Sequence, residues 1–286
     1  METLITCTIN ALVISSMYIL VALGFALLLS IMGIFNFAHG AVYMVGAYIT
    51  YWLSVALGIN QWISLVLSII LAGILGLFLE RFCFRPFTGK PTNVIVMAVA
   101  LILILETAME VTLGGVTRSI PPFVPGTVRV GFVSVDAQRL TVLLIGAVLL
   151  MAMFLFIQKS KLGQQMLAVV QNRTGAALQG IDINFTAAAA SCLASAMAAL
   201  AGSMMASLFS LSPFMGDNIL LKAIQVVILS GIGSIGGILA GGLIIGSMDA
   251  VLPVFVDDNI AQVIIIGVVI LILLVRPKGL FGYELF

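Results

Sequence analysis

Nine apolar runs follow one another along this chain, most of them near 20 residues and almost free of charge, and they limit its fold more than any other feature. A bilayer interior offers no partner to a backbone N–H or C=O, so such a run must be helical, and about 20 apolar residues are needed to cross. The runs lie near 10–32, 38–57, 62–80, 93–112, 140–158 and 184–210, then as a Gly-interrupted pair near 219–231 and 237–256, and last near 259–275. The first member of the pair is too short for an ordinary crossing, so the pair is either a short broken span with its neighbour or a re-entrant hairpin. Composition points the same way: 62% of residues are hydrophobic and 8% charged, against a charged fraction of about 25% in soluble domains. The expected fold class is all-α, a polytopic membrane protein of about 8–9 transmembrane or re-entrant helices in a single domain over 1–286.

Basic loops orient the runs. The loop 81–91 carries Arg81, Arg85 and Lys90, the loop 159–183 carries Lys159, Lys161 and Arg173, and the tail carries Arg276 and Lys278. Short Lys/Arg-rich loops stay cytoplasmic, which puts the loop 113–139, the turn near Ser212-Pro213 and the N-terminus outside. Arg118, Arg129 and Arg139 in the outer loop run against the rule, but that loop also holds Pro121, Pro122 and Pro125 and is long enough to cover an outer mouth. Met1-Glu2-Thr3-Leu4 brings no basic segment before the first run, which is therefore expected to be a permanent span and not a cleaved signal.

Two interruptions stand out. The stretch Ile34-Phe35-Asn36-Phe37-Ala38-His39-Gly40 sets the single histidine and an asparagine between apolar runs, and Gly231-Ile232-Gly233-Ser234-Ile235-Gly236-Gly237 breaks the second half. Backbone broken at membrane depth is buried in protein or lines a wet cavity. Corresponding breaks in two halves point to an inverted repeat with a site at its interface, although no residue-level identity between the halves accompanies them. Asn36, His39, Gly40, Gly231, Gly233 and Ser234 are accordingly the candidates for a substrate pathway. His39 reads first as a structural residue that satisfies freed backbone groups, with a proton-carrying role as the alternative. Gly233 and Gly236 are expected to permit close backbone approach. Lys222 and Asp249, at or near the ends of apolar segments, are either inward and paired or, for the lysine, snorkelling to the interface. Glu106 and Glu110, one helical turn apart, are expected to reach the outer headgroups.

Several functions are excluded. Residues 231–236 spell G-x-G-x-x-G, but the dinucleotide fingerprint needs a βαβ unit, and here the glycines join two membrane segments. There is no G-x-x-x-x-G-K-[ST], so the chain lacks a phosphate-binding loop. A net charge of +1 without a clustered basic face argues against nucleic acid. Cys7, Cys83 and Cys192 are far apart, with no CxxC, and read as small core residues rather than metal ligands. No nucleophile–base pair suggests an enzyme.

The cytoplasmic stretch 159–183 has mixed character. Leu167, Val170, Thr174 and Leu178 recur at helical spacing and would give a short helix one apolar stripe. Its polar side is rich in Gln and Asn, so docking in a groove of a soluble partner and lying on lipid headgroups both remain open.

The motifs taken together resemble the permeases of branched-chain amino-acid ABC importers of the LivH type. They are Asn36-Phe37-Ala38-His39-Gly40 with Gly46-Ala47-Tyr48, Glu80-Arg81 with Arg85-Pro86, Lys161-Leu162-Gly163, Gln171-Asn172, Leu178-Gln179-Gly180-Ile181, Ala201-Gly202, Lys222-Ala223, the 231–237 glycines and Arg276-Pro277-Lys278-Gly279-Leu280-Phe281-Gly282, in order along nearly the whole chain. The resemblance implies a permease domain of the bacterial inner membrane, surrounded by lipid. It implies four partners: a second, homologous permease subunit, two cytoplasmic ATP-binding subunits and a periplasmic substrate-binding protein. No cofactor is expected in this chain, since ATP is used by the partner subunits. It also makes 159–183 the ATPase coupling segment, with Leu162, Gly163, Leu167, Val170, Thr174, Leu178 and Gly180 as its candidates. Urea and short amides are substrates of similar permeases, and an ion-coupled secondary transporter is the rival class. Against the rival stands the scarcity of intramembrane carboxylates.

Overall fold

A computed structural model describes residues 2–33, 35–130, 133–231 and 233–281. Ile34 and Ile232 of the two interruptions, and Gly282 of the terminal motif, lie outside the described residues.

Polar residues placed just before apolar runs start most of the helices. Asn60 Oδ1 accepts the N–H of Trp62, Asp136 that of Gln138, Ser160 that of Gly163, Asp182 those of Asn184 and Phe185, and Asp257 that of Asn259. Each satisfies a donor that the first helical turn leaves without a partner. The resulting helices are α1 (Glu2–Met32), α2 (Ala38–Tyr51), α3 (Gln61–Phe78), α4 (Pro91–Leu113), α5 (Ala137–Lys159), α6 (Lys161–Gln171), α7 (Arg173–Leu178), α8 (Ile183–Ala206), α9 (Met215–Ser230), α10 (Ile235–Val251) and α11 (Asp258–Val275). Trp52–Ala56 and Leu79–Phe84 extend α2 and α3 as π-helical turns. In the outer loop, β1 (Thr127–Val130) and β2 (Val133–Asp136) form an antiparallel hairpin that the sequence did not announce.

Among the described residues, seven helices are long and apolar enough to cross a membrane: α1, α3, α4, α5, α8, α10 and α11. The remaining two apolar runs became α2, which with its π-helical turn covers 38–56, and α9 with 16 residues, the latter about 24 Å at 1.5 Å per residue and so shorter than a hydrocarbon core of about 30 Å. The basic residues of the loops 81–91 and 159–183 and of the tail fall as the rule on cytoplasmic loops requires, with Arg118 and Arg139 at the opposite end. Arg81, Arg85, Lys90, Lys159, Lys161, Arg173, Arg276 and Lys278 belong to one end of the bundle, where Arg85 donates to the carbonyl of Asn184 and Leu280 pairs with the carbonyl of Leu229. The other end is closed by an Arg118–Leu211 bridge, by Gln61 on the carbonyl of Pro121, and by Gln138 between Phe123 and Ser207.

Helix α1 is the central post, packed against α5, α8, α9 and α10 and buried over most of its length, while α4 and α11 expose most of theirs. Without a hydrophobic drive between helices in lipid, close approach at small residues and interhelical hydrogen bonds hold the bundle. A Cβ on Gly46 would lie 2.3 Å from Ala199 Cα, and one on Gly202 would lie 2.2 Å from the Tyr43 carbonyl. Between them Thr50 and Ser203 share a hydrogen bond of 2.8 Å, and Ser68 donates to the Gly46 carbonyl. The three cysteines are free and half-buried.

Candidate functional site

The first interruption turns the chain back into the bundle. Asn36 Oδ1 accepts the N–H of Ala38, the first residue of α2. His39 is 1% exposed, and its Nε2 donates across to the carbonyl of Val21, eleven residues before the end of α1. The histidine therefore ties α2 to the middle of α1, while Asn36 satisfies a backbone N–H at the start of α2. Gly40 meets Gly216 at the start of α9, where a Cβ would lie 2.4 Å from the Gly216 carbonyl oxygen. The two short helices thus cross near their N-terminal ends.

At the second interruption Gly231 and Gly233 take φ of 90° and 89°, in the left-handed region that favours glycine, and Ser234 caps α10 by accepting from Gly237. The expected close approach at Gly233 and Gly236 is not there, since nothing lies within 4 Å of a Cβ at either. The contacts begin at the next residue and continue along α10: Gly237 on the Ser230 carbonyl, Gly241 on the Ser230 hydroxyl, Gly242 on Ile19 and Gly246 on Ser15. Helical spacing decides this, because α10 turns these glycines, not Gly236, toward α1 and α9.

A cavity of about 550 Å³ opens between α1, α2, α9, α10 and α11, a size common for small-molecule sites. Its mouth holds Asn10, Arg139, Pro253 and Asp258, all from the outer half. Val13, Ile14, Met205, Leu208 and Ile219 form an apolar wall, and Tyr18, Tyr43, Lys222 and Asp249 bring polar groups to it. Lys222 is not snorkelling: it is 4% exposed and forms an ion pair with Asp249 of α10, while Tyr18 of α1 donates to the other carboxylate oxygen. Asn36, His39, Gly40, Gly231, Gly233 and Ser234 are not among the residues lining this cavity. They hold the ends of α2 and α9, whose Tyr43 and Lys222 do line it. Sequence separation hid the cluster, since Tyr18 and Asp249 are 231 residues apart. The available signal was an ionisable residue inside an apolar run. Glu106 also departs from expectation: it is buried and lies beside Asp217 of α9, whereas Glu110 is exposed.

The inner segment is two helices, not one stripe. Asn172 ends α6 and caps α7 by accepting from Gly175, so the spacing from Leu167 to Leu178 does not run along a single axis. Met166, Val169 and Ala176 are the buried residues, packed on Ile31, Ala187 and Ala190, with Leu162 and Val170 against the same cluster and Leu167 against the main core. Gly163 lies under the end of α5, where a Cβ would come 2.4 Å from the Phe156 carbonyl oxygen. Thr174 is exposed, Leu178 is 85% exposed, and Gly180 ends α7 with φ of 83°.

A multi-helix membrane body enclosing a polar-floored cavity has the architecture of a membrane transport subunit. Residues 7–274 match the family model described as branched-chain amino acid transport system / permease component, and the chain belongs to that family. It is 29% identical to the high-affinity branched-chain amino acid transport system permease protein LivH of Escherichia coli (strain K12), over 96% of this chain and 94% of that one. It is 31% identical, with the same coverage, to the corresponding protein BraD of Pseudomonas aeruginosa. Among solved structures, PsaBC from Streptococcus pneumoniae in complex with Fab matches with a TM-score of 0.55 over 94% of this chain and 91% of that one, at 16% identity, a likeness of fold. The chain is a multi-pass inner-membrane permease of the ABC-importer type.

Proposed function

We propose that this subunit forms half of the membrane pathway of an ATP-driven importer of branched-chain or other hydrophobic amino acids, and that the cavity is the outer part of that pathway. The observation that carries this is the cavity itself, apolar along one wall and ionic at one place, which suits a molecule with a hydrocarbon side chain and a charged head. The two relatives named above, described as branched-chain amino acid permeases, support the substrate class. The chain has no phosphate-binding loop, so ATP is hydrolysed by two cytoplasmic partner subunits. A second permease completes the pathway and a periplasmic binding protein delivers the substrate. The whole of 1–286 acts as one permease domain. Within it 159–183 receives the ATPase stroke: Leu162, Gly163, Leu167 and Val170 seat the segment on the bundle, and Thr174, Leu178 and Gly180 face the partner. Asn36, His39, Gly40, Gly231, Gly233 and Ser234 frame the pathway by fixing α2 and α9.

Reconstitution in vesicles tests the proposal. The complete transporter with its binding protein takes up labelled leucine only with ATP on the ATPase side, and this chain alone neither hydrolyses ATP nor transports. Uptake driven by a proton or sodium gradient without ATP would refute it.

A further inference from the structure

We infer that Lys222, Asp249 and Tyr18 form a binding site for the zwitterionic head of an amino acid, with Lys222 taking the carboxylate and Asp249 the ammonium. The inference rests on the cavity being part of the import pathway, and it narrows the substrate of that pathway by charge. A buried ion pair seldom stabilises a fold more than an apolar pair of the same volume would, and ionisable groups at membrane depth generally serve a function. This pair sits where a function can use it. Lys222 and Asp249 both line the cavity, and 18% of the Asp249 side chain is still exposed while Lys222 is held at 5%. Tyr18 donates to the Asp249 oxygen that Lys222 leaves free, fixing the carboxylate when the lysine moves away.

Charge balance selects the ligand. The closed pair is neutral, and so is a zwitterion. An amino acid inserted in series gives Lys222 a carboxylate and Asp249 an ammonium, leaving every charge partnered in a place of low dielectric where an unpaired one is costly. A carboxylate alone would strand Asp249, an amine alone would strand Lys222, and an uncharged amide such as urea offers neither group an opposite charge. With the head so placed, the side chain meets Val13, Ile14 and Ile219, which suits leucine-like residues better than polar ones.

The test is ligand-observed saturation-transfer NMR on the assembled transporter in detergent, without the binding protein and with leucine as probe. Saturable leucine binding is expected, competed by valine but at least 10-fold less well by 4-methylpentanoate or 3-methylbutylamine, which carry one charge each. Equal competition by either single-charge analogue, or no saturable binding, would overturn the inference, and this comparison needs no variant. The doubly substituted Lys222→Met, Asp249→Leu complex removes both charges at similar volume. It is expected to co-purify with its partners and to lose at least 10-fold in both leucine binding and ATP-dependent uptake. Wild-type uptake by that variant would make the pair structural and sink the site. Leucine binding by a wild-type complex that fails to transport with ATP would instead sink the import proposal while supporting the site.

Discussion

Val21 offers His39 a carbonyl that already lies inside α1, so the bond between them joins two helices without rescuing an orphaned group. A net contribution of about 1 kcal/mol follows for such a bond. The other ring nitrogen, Nδ1, is buried with no hydrogen-bond partner, and its removal offsets part of the loss. His39→Gln, which keeps an N–H within reach, is therefore expected to retain folded protein and transport, and His39→Leu to cost no more than about 1 kcal/mol. Thermal unfolding of the purified complex checks the cost. Uptake between pH 5 and pH 8, the range in which histidine ordinarily titrates, checks the role: an assembled His39→Gln complex that is inert, or whose pH profile is altered, would make this histidine a proton carrier. Asn36 is the more demanding residue, because its side chain holds the start of α2. Asn36→Ala is expected to lose about 1 kcal/mol, the net worth of that hydrogen bond, and Asn36→Asp to keep it, read by the same unfolding experiment.

The two short helices divide what the sequence could say from what it could not. Among the described residues, seven of the runs became helices long and apolar enough to cross a membrane, but the run near 38–57, equally long in sequence, became α2 and is not one of them. The interruptions were legible too, since glycine, asparagine and histidine between apolar runs have no place in an unbroken span. Hidden from sequence was where the chain goes after each break, because that depends on partners far along the chain: Val21 for His39, Gly216 for Gly40, Tyr43 for Gly202. The same gap misplaced the close contact of the second interruption. Gly236 lies in open space, whereas Gly46 and Gly202, buried where α2 crosses α8, leave no room for a methyl group. Gly46→Val is thus expected to abolish assembled protein and Gly236→Ala to leave expression and uptake unchanged. Normal assembly of Gly46→Val, measured by size-exclusion chromatography, would show that α2 and α8 can separate without cost.

Across the whole molecule, the proposed import reading puts substrate and the ATPase contact at opposite ends, and α1 is the element that reaches both. Its Tyr18 holds the carboxylate at the cavity, and its Ile31 packs under Met166 and Val169 of α6. On the proposed coupling role, a push on α6 and α7 would meet a rigid post and not a free loop. The apolar residues of this segment then have two separable duties. Met166 is 1% exposed and belongs to the bundle, so Met166→Asp buries a charge without a partner and is expected to destroy the folded subunit. Val170 packs on the same cluster, and a charge there would confuse folding with coupling. Leu178 is 85% exposed, too apolar for a solvated loop end yet uncovered by this chain, and it is the residue whose replacement tests the proposed ATPase contact apart from folding. Leu178→Asp is expected to leave the permease at wild-type level with unchanged thermal unfolding, and to lower co-purification of the ATPase subunits and ATP-dependent uptake together by at least 10-fold. Full ATPase recovery with Leu178→Asp would show that the partner docks elsewhere on the inner face, and loss of the permease itself would show that Leu178 is covered by the bundle's other half.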